Sequence, residues 1–320
     1  MTDHSSGLDK VPVIVLTFPL PDLVTQRLGT QYHVESLLTP AARQAYVTHS
    51  GDLVRAIVTN GSTRLDGAFM DTMPNLCIIH TFGVGYEGVD VDAARARGIE
   101  VAYSPGTNAD SVADQAFALL LAVMRDIVPN DGLVRQGAWR PIRPVPPQLS
   151  GQKIGIVGMG HIGQRIAARA AGFSMPVFYY SRRPCDQAQW TYCPSVMDMA
   201  ARVNILAVTL PGGPETCNVI DADVLRALGP QGYVVNVGRG SVISNTVLTE
   251  ALEKGIIAGA GLDVVEREPN LPAALREQPN IVFSPHVGAR SPQSLLTCLD
   301  QVMTNLHAAM AGRPVHTPVP

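Results

Sequence analysis

The sequence predicts an α/β protein of two domains, each a doubly wound parallel sheet, with a cleft between them. Three observations lead there. Short β-rich apolar runs alternate with helix-compatible stretches along the whole chain, the pattern of strands covered on both faces by helices. An apolar run enters a glycine-rich turn at mid-chain, Lys153-Ile-Gly-Ile-Val-Gly-Met-Gly-His-Ile-Gly163. The chain has 320 residues, 46% apolar and only 16% charged, and at about 150 residues per domain it can fill two cores.

In chain order, β-rich runs fall at 12–16, 53–59, 76–80 and 99–102, with helix-compatible stretches at 41–47 and 91–97 between them. This first α/β set ends near Ser104-Pro105-Gly106, a strong breaker. A long helical pattern over 110–126 has almost no polar face, so it is expected to be largely buried. A Pro-rich stretch around Trp139 and 144–147 then leads to the glycine turn. Beyond the turn come a helix pattern at 164–171 and β-rich runs at 177–180, 205–210, 233–237, 257–262 and 281–284. A last helical stretch spans 292–311. With no further strand to serve in the second sheet, that helix is expected to return to the first domain. The domains would be 1–104 plus 289–320 and 105–288, with crossings near Pro105 and Pro285 forming a hinge.

Gly158, Gly160 and Gly163 form G-x-G-x-x-G between a strand and a helix. The first glycine permits a tight turn, the second lets backbone approach a pyrophosphate, and the third lets the helix pack on the strand. That makes 105–288 a Rossmann-like dinucleotide-binding domain. Three further segments sit at strand ends within it: Val235-Asn-Val-Gly-Arg-Gly240, Gly261-Leu-Asp-Val-Val-Glu-Arg-Glu-Pro269 and Ser284-Pro-His-Val-Gly288. Taken singly they are ordinary, since an arginine in a turn is usually solvated, a lone histidine structural, and Glu266 and Glu268 loop charges. Parallel strands share a carboxyl edge, however, and the three together suit reduction of a 2-oxo acid by hydride. Arg239 can hold a carboxylate and polarise the neighbouring carbonyl. His286 can protonate the oxygen, with Glu268 fixing its tautomer.

With these segments in view, the chain resembles the D-isomer-specific 2-hydroxyacid dehydrogenases over almost its full length. The family's glycine motif corresponds to Gly158, Gly160 and Gly163, its N-x-x-R-G to Asn236–Gly240, its D-V-x-E-x-E-P to Asp263–Pro269 and its P-H-x-G to Pro285–Gly288. The resemblance selects Glu268 over Glu266 as the histidine's partner. Phe82-Gly-Val-Gly-Tyr-Glu-Gly-Val-Asp90 resembles the family's substrate loop, which implies that Val84 and Gly85 contact substrate along with Arg239 and His286; the glycines also suit an anion-binding nest. Cofactor contacts are implied at Gly158, Gly160, His161, Ile162, Gly163, Leu210, Pro211, Thr216, Val237, Gly238, Asp263 and Gly288. Asp110-Ser-Val-Ala-Asp114 resembles the start of the family's interdomain helix.

An NAD-selective site usually presents a carboxylate at the end of the second strand. Here the chain reads Phe178-Tyr-Tyr-Ser-Arg-Arg-Pro184. Ser181, Arg182 and Arg183 suit a 2′-phosphate, so NADP(H) is expected to be preferred over NAD(H); the alternative is a pair of solvated arginines. Thr209-Leu-Pro-Gly-Gly-Pro-Glu-Thr216 resembles the NADPH-dependent glyoxylate/hydroxypyruvate and hydroxyphenylpyruvate reductases. Glyoxylate or hydroxypyruvate giving an (R)-2-hydroxy acid is therefore the expected chemistry. An NAD-dependent D-lactate or phosphoglycerate-like dehydrogenase and a non-catalytic, nucleotide-sensing corepressor-like protein remain the alternatives. Arg290 is unusual for the family and is either a solvated first-turn residue or a reader of a second polar group on the substrate.

A formal charge of −3 gives no reason to expect nucleic acid or a membrane as partner. Five scattered cysteines without a C-x-x-C pair read as reduced thiols of a cytoplasmic protein, with no metal site. By analogy with the family, Trp139 and the prolines after it point to an arm across a homodimer interface.

Overall fold

The computed structural model describes residues 11–139, 144–185 and 189–320. The chain divides into two compact units, Met1–Thr107 with Pro292–Pro320, and Asn108–Ser291.

The first unit carries a five-stranded sheet ordered β2-β1-β3-β4-β5, in which every pairing is parallel. Its elements are β1 (Val13–Leu16), α1 (Asp22–Gly29), β2 (His33–Ser36), α2 (Pro40–Ser50), β3 (Val54–Thr59), α3 (Gly67–Met70), β4 (Ile78–Thr81), α4 (Val91–Ala96) and β5 (Glu100–Ala102). β1 is a continuous apolar run, and β3 and β4 are mostly apolar and buried along nearly their whole length, because helices cover both faces of the sheet. β2 is different. Its sequence His-Val-Glu-Ser has no apolar run, and it forms only as an edge partner of β1, so periodicity gives it no signal. The helices start where capping predicts: the Thr39 side chain accepts from the Ala42 N–H ahead of Pro40, and Asp90 accepts from the Ala93 N–H.

The C-terminal helix (Pro292–Met310) lies on this same sheet. It buries Cys298, Leu299, Val302, Leu306 and Ala309 among Ile14, Leu16, Val58 and Ile78. The tail then turns back along β5, with the Val319 N–H donating to the Val101 carbonyl at 2.9 Å. Asn305 fastens it. Its amide donates to Nε2 of His80 at 3.0 Å and to the Thr317 hydroxyl at 2.8 Å, while its oxygen accepts the N–H groups of His316 and Thr317. His80 is fully buried, which pushes its pKa down to about 3. It is therefore the neutral ring, with Nδ1–H donating to the Thr81 carbonyl and Nε2 accepting.

The second unit carries a seven-stranded sheet ordered β12-β11-β10-β9-β6-β7-β8, again parallel throughout. It begins with α5 (Ala109–Met124) and α6 (Ile127–Arg135). The βα repeat follows: β6 (Ile154–Val157), α7 (His161–Gly172), β7 (Val177–Tyr180), β8 (Thr191–Tyr192), α8 (Val196–Ala200) and β9 (Ile205–Val208). Then come α9 (Ala222–Leu228), β10 (Tyr233–Asn236), α10 (Asn245–Glu253), β11 (Gly259–Leu262), α11 (Ala273–Arg276) and β12 (Ile281–Phe283). Strand order reverses between β6 and β9, the switch point at which open α/β sheets bind ligands. As its composition predicts, α5 is largely buried. β11 reads Gly-Ala-Gly-Leu for a steric reason: a Cβ at Gly261 would sit 2.9 Å from the Leu119 Cβ, so helix and strand approach in a way that only glycine permits. Among the described residues no helix is long and apolar enough to cross a membrane.

Asn305, fully buried, satisfies four polar groups at once, among them the buried Nε2 of His80. Asn305→Ala should destabilise the first unit by about 2–4 kcal/mol, measured as a lower midpoint of urea unfolding. A change below about 0.5 kcal/mol would show that the network is dispensable.

Candidate active site

The turn from β6 into α7 has the shape of a phosphate cradle. Gly158 has φ +105°, a region side-chain-bearing residues rarely adopt. The Thr209 hydroxyl donates to its carbonyl at 2.7 Å. A Cβ on Gly163 would lie 2.1 Å from the Gly158 carbonyl oxygen, so α7 starts directly on the turn. At Gly160 the opposite holds: an added Cβ would meet nothing within 4 Å, and no side chain caps the helix. The N–H groups of His161, Ile162 and Gly163 therefore form an uncapped, positively polarised end of a helix of 12 residues. These residues fit a dinucleotide's diphosphate.

Around this cradle the structure gathers other strand-end residues of the same unit. Leu210 follows β9, and a Cβ on Gly238 would lie 2.6 Å from its carbonyl oxygen, so the two backbones touch. Val237 continues the ladder, donating to the Val208 carbonyl at 3.1 Å. The Thr216 hydroxyl closes its loop by donating to the Pro211 carbonyl at 2.8 Å. At the end of β7 the Ser181 hydroxyl donates to the Arg183 carbonyl at 2.5 Å, leaving Arg182 and Arg183 exposed. Among the described residues no carboxylate stands at that strand end.

Three neighbouring strands then deliver the titratable groups. After β10, the Asn236 side chain accepts from the Gly238 N–H at 3.1 Å and donates to the Arg239 carbonyl at 3.0 Å, shaping the turn that presents Arg239. A Cβ on Gly240 would lie 1.9 Å from the Val265 carbonyl oxygen, so this turn lies against the loop after β11. In that loop Glu266 and Glu268 part company. Glu266 accepts from the Asn245 N–H at 3.0 Å, at the start of α10. Glu268 accepts from Nδ1 of His286 at 2.7 Å and from the Val265 N–H at 3.2 Å.

Electrostatics follow from this contact. The hydrogen bond to Glu268 raises the His286 pKa above its ordinary value; burial opposes it, the Glu268 charge reinforces it, and Arg239 and Asp263 act in opposite senses. For Glu268, burial pushes the pKa up. The hydrogen bond and charge of His286, the Val265 N–H and Arg239 outweigh it and hold the carboxyl low. Both shifts describe one ion pair, half open to solvent. With Nδ1 engaged, Nε2 is the ring nitrogen left to meet a ligand.

In the first unit the loop after β4 is shaped independently. Gly83 has φ +130°, its carbonyl accepts from the Ser104 N–H at 2.7 Å, and the Phe82 N–H donates to the Thr59 carbonyl at 2.7 Å. Among the described residues no protein acceptor takes the N–H of Val84 or Gly85.

Comparison with known proteins gives this geometry a family. Residues 117–288 match the model of the D-isomer specific 2-hydroxyacid dehydrogenase NAD binding domain. The chain belongs to the D-isomer specific 2-hydroxyacid dehydrogenase family. It is 36% identical over 307 residues to the hydroxyphenylpyruvate reductase of Plectranthus scutellarioides, covering 96% of this chain and 98% of the relative. It is 37% identical over 309 residues to the 2-ketogluconate reductase of Gluconobacter oxydans, with the same coverage. Among solved structures it resembles the NADPH-dependent glyoxylate/hydroxypyruvate reductase of Sinorhizobium meliloti in complex with NADP and malonate. That match has a TM-score of 0.88 and 38% identity and covers 97% of each chain.

Within this dehydrogenase fold, several groups that shape the site carry no signal as isolated letters. Asn245 and Ser284 read in sequence as ordinary polar residues; only their partners reveal what they hold. Gly288 is buried, its N–H donating to Asp263 Oδ2 at 2.9 Å. Arg290 is exposed. Residues 140–143 of the Pro-rich stretch lie outside the described residues, and Trp139, beside them, is 77% exposed.

Because Glu268 raises the His286 pKa, the folded imidazole keeps its proton above the ordinary value of about 6.5. Glu268→Gln removes both contributions of that carboxylate, so the titration midpoint should fall toward or below the ordinary value. Imidazole NMR, with His286→Gln to assign the resonance, reads this directly; an unmoved midpoint would refute the pairing.

Proposed function

We propose that this chain reduces small 2-oxo acids, such as glyoxylate or hydroxypyruvate, to (R)-2-hydroxy acids, with NADPH preferred over NADH. The observation that carries this reading is the His286–Glu268 ion pair within the field of Arg239, in the unit that holds the glycine cradle. A reduced nicotinamide whose diphosphate rests on the Gly158–Gly163 turn would supply the hydride for the carbonyl carbon. Arg239 pairs with the substrate carboxylate and polarises its carbonyl. His286, protonated and aligned by Glu268, delivers a proton from Nε2 to the carbonyl oxygen and is left neutral. In the first unit, the N–H groups of Val84 and Gly85 are proposed to take the substrate carboxylate. The same reading assigns cofactor contacts to Gly158, Gly160, His161, Ile162, Gly163, Leu210, Pro211, Thr216, Val237, Gly238, Asp263 and Gly288.

The cofactor preference is supported by Ser181, Arg182 and Arg183 at the end of β7, where a carboxylate would have gripped a ribose 2′-hydroxyl and repelled a 2′-phosphate. The Sinorhizobium relative is NADPH-dependent and was solved with NADP, which points the same way.

A homodimer is supported by an apolar surface. No residue of α6 is buried, and Ile127, Val128, Val134 and Trp139 are all exposed, more than an isolated helix face normally leaves in water. The described cysteines are all unpaired, which favours a reducing, cytoplasmic setting.

Steady-state rates on a panel of 2-oxo acids test the proposal. NADPH should exceed NADH in kcat/KM by about tenfold or more, and Arg182→Ala should erode that advantage by weakening NADPH selectively. An equal or reversed ratio would refute the preference. Nucleotide binding without any turnover would leave a sensing protein in place of an enzyme. Light scattering should give twice the chain mass, and a monomer at micromolar concentration would remove the dimer.

A further inference from the structure

We propose that Ser284 is a positioning residue for the proton donor: its hydroxyl orients the Asp263 carboxylate, which holds the loop from β12 so that the His286 ring meets Glu268. The inference rests on the reading of His286 as that donor.

Asp263 lies just beyond β11 and is 4% exposed. Four hydrogen bonds from the next strand's loop converge on it. Its carbonyl accepts the His286 N–H at 2.8 Å. Its Oδ1 accepts the Val287 N–H at 3.0 Å and the Ser284 hydroxyl at 2.5 Å, and its Oδ2 accepts the Gly288 N–H at 2.9 Å. The Asp263 N–H in turn donates to the Asn236 carbonyl at 2.9 Å, which ties the loop to the strand that presents Arg239.

The loop needs such a hold. His286 has φ +53°, a left-handed conformation that a residue with a β-carbon keeps only where its surroundings impose it. Two successive N–H groups after it point at one carboxylate, which fixes the peptide planes and therefore the direction of the imidazole. The Ser284 N–H donates to the Leu262 carbonyl at 2.8 Å, extending the β11–β12 pairing. Its hydroxyl therefore starts from rigid backbone. Backbone donors on each oxygen restrain the carboxylate, and the Ser284 hydroxyl adds a third bond, on Oδ1, from a separate and firmly anchored residue. The groups that face the imidazole are Glu268, Arg239 and Asp263, so loosening the loop changes their distances to the ring together.

Ser284 is the cleaner residue to vary, because Asp263 is itself a proposed cofactor contact. Ser284→Ala should lower kcat by about tenfold to a hundredfold while KM for NADPH changes by less than about twofold. The His286 titration, followed by NMR, should move to lower pH as the Glu268 contact loosens. Ser284→Thr, which keeps the hydroxyl, should recover most of the lost kcat and the original titration. Wild-type kcat and an unmoved titration in Ser284→Ala would overturn the proposal. So would a loss that Ser284→Thr shares with no change in titration, since that pattern marks general packing. If the alanine variant folds poorly, Ser284→Cys, of similar size and a weaker donor, is read in its place, with kcat between wild type and a full loss. Should the wild-type chain turn over no 2-oxo acid, the functional reading fails. The NMR titration then still decides whether Ser284 sets the imidazole.

Discussion

Parallel register is the constraint on which this site rests. β10, β11 and β12 are adjacent and run the same way, with Val235 opposite Gly261 and Gly261 opposite Val282. Their carboxyl ends therefore share one edge, and the loops that leave them are neighbours although Arg239, Glu268 and His286 are far apart in the chain. The approach of those loops is close enough to dictate residue type. Gly240 lies against the Val265 backbone and Gly238 against that of Leu210, with no room for a side chain at either. A strand slipped by one residue would turn each loop to the opposite face.

Buried polar groups do the fixing, and they do it by being satisfied. In the second unit Asn236 and Asp263 each accept backbone N–H groups at a strand end and so determine where the next loop points. In the first unit Asn305, His80 and Thr317 close an unrelated network that fastens the tail to the sheet. Desolvation makes such groups costly when unpaired. The same cost makes their geometry unique when every donor and acceptor has a partner. The resulting precision differs between the two places: the Asn305 network specifies the fold, while the Asp263 network specifies the orientation of one ring.

The charges in the second unit are balanced in a way that suits the proposed proton transfer. Arg239 lowers the pKa of both His286 and Glu268, and Glu268 raises that of His286. Glu268 therefore stays ionised and His286 retains its proton further up the pH scale. The imidazole's remaining nitrogen is then a donor, as addition of hydride to a carbonyl requires.

Alternation of apolar runs and helix patterns was enough, from sequence alone, to indicate two parallel-sheet units, because strands buried on both faces are mostly apolar and their crossover helices must lie between them. The glycine turn was equally legible, since its spacing is steric: Gly163 must lack a side chain wherever α7 starts on the Gly158 carbonyl. β2 and β8 were not legible, as both are polar edge strands whose only reason to extend is a partner strand. Composition alone left Glu266 and Glu268 equivalent, and the family resemblance singled out the second. Tertiary structure decided their partners, Asn245 for one and His286 for the other, because hydrogen bonds across strand ends depend on register and not on local spacing. Tertiary structure likewise decided the left-handed backbone of His286. Nothing in Ser-Pro-His-Val-Gly encodes that conformation until a buried carboxylate on the adjacent strand collects its N–H groups.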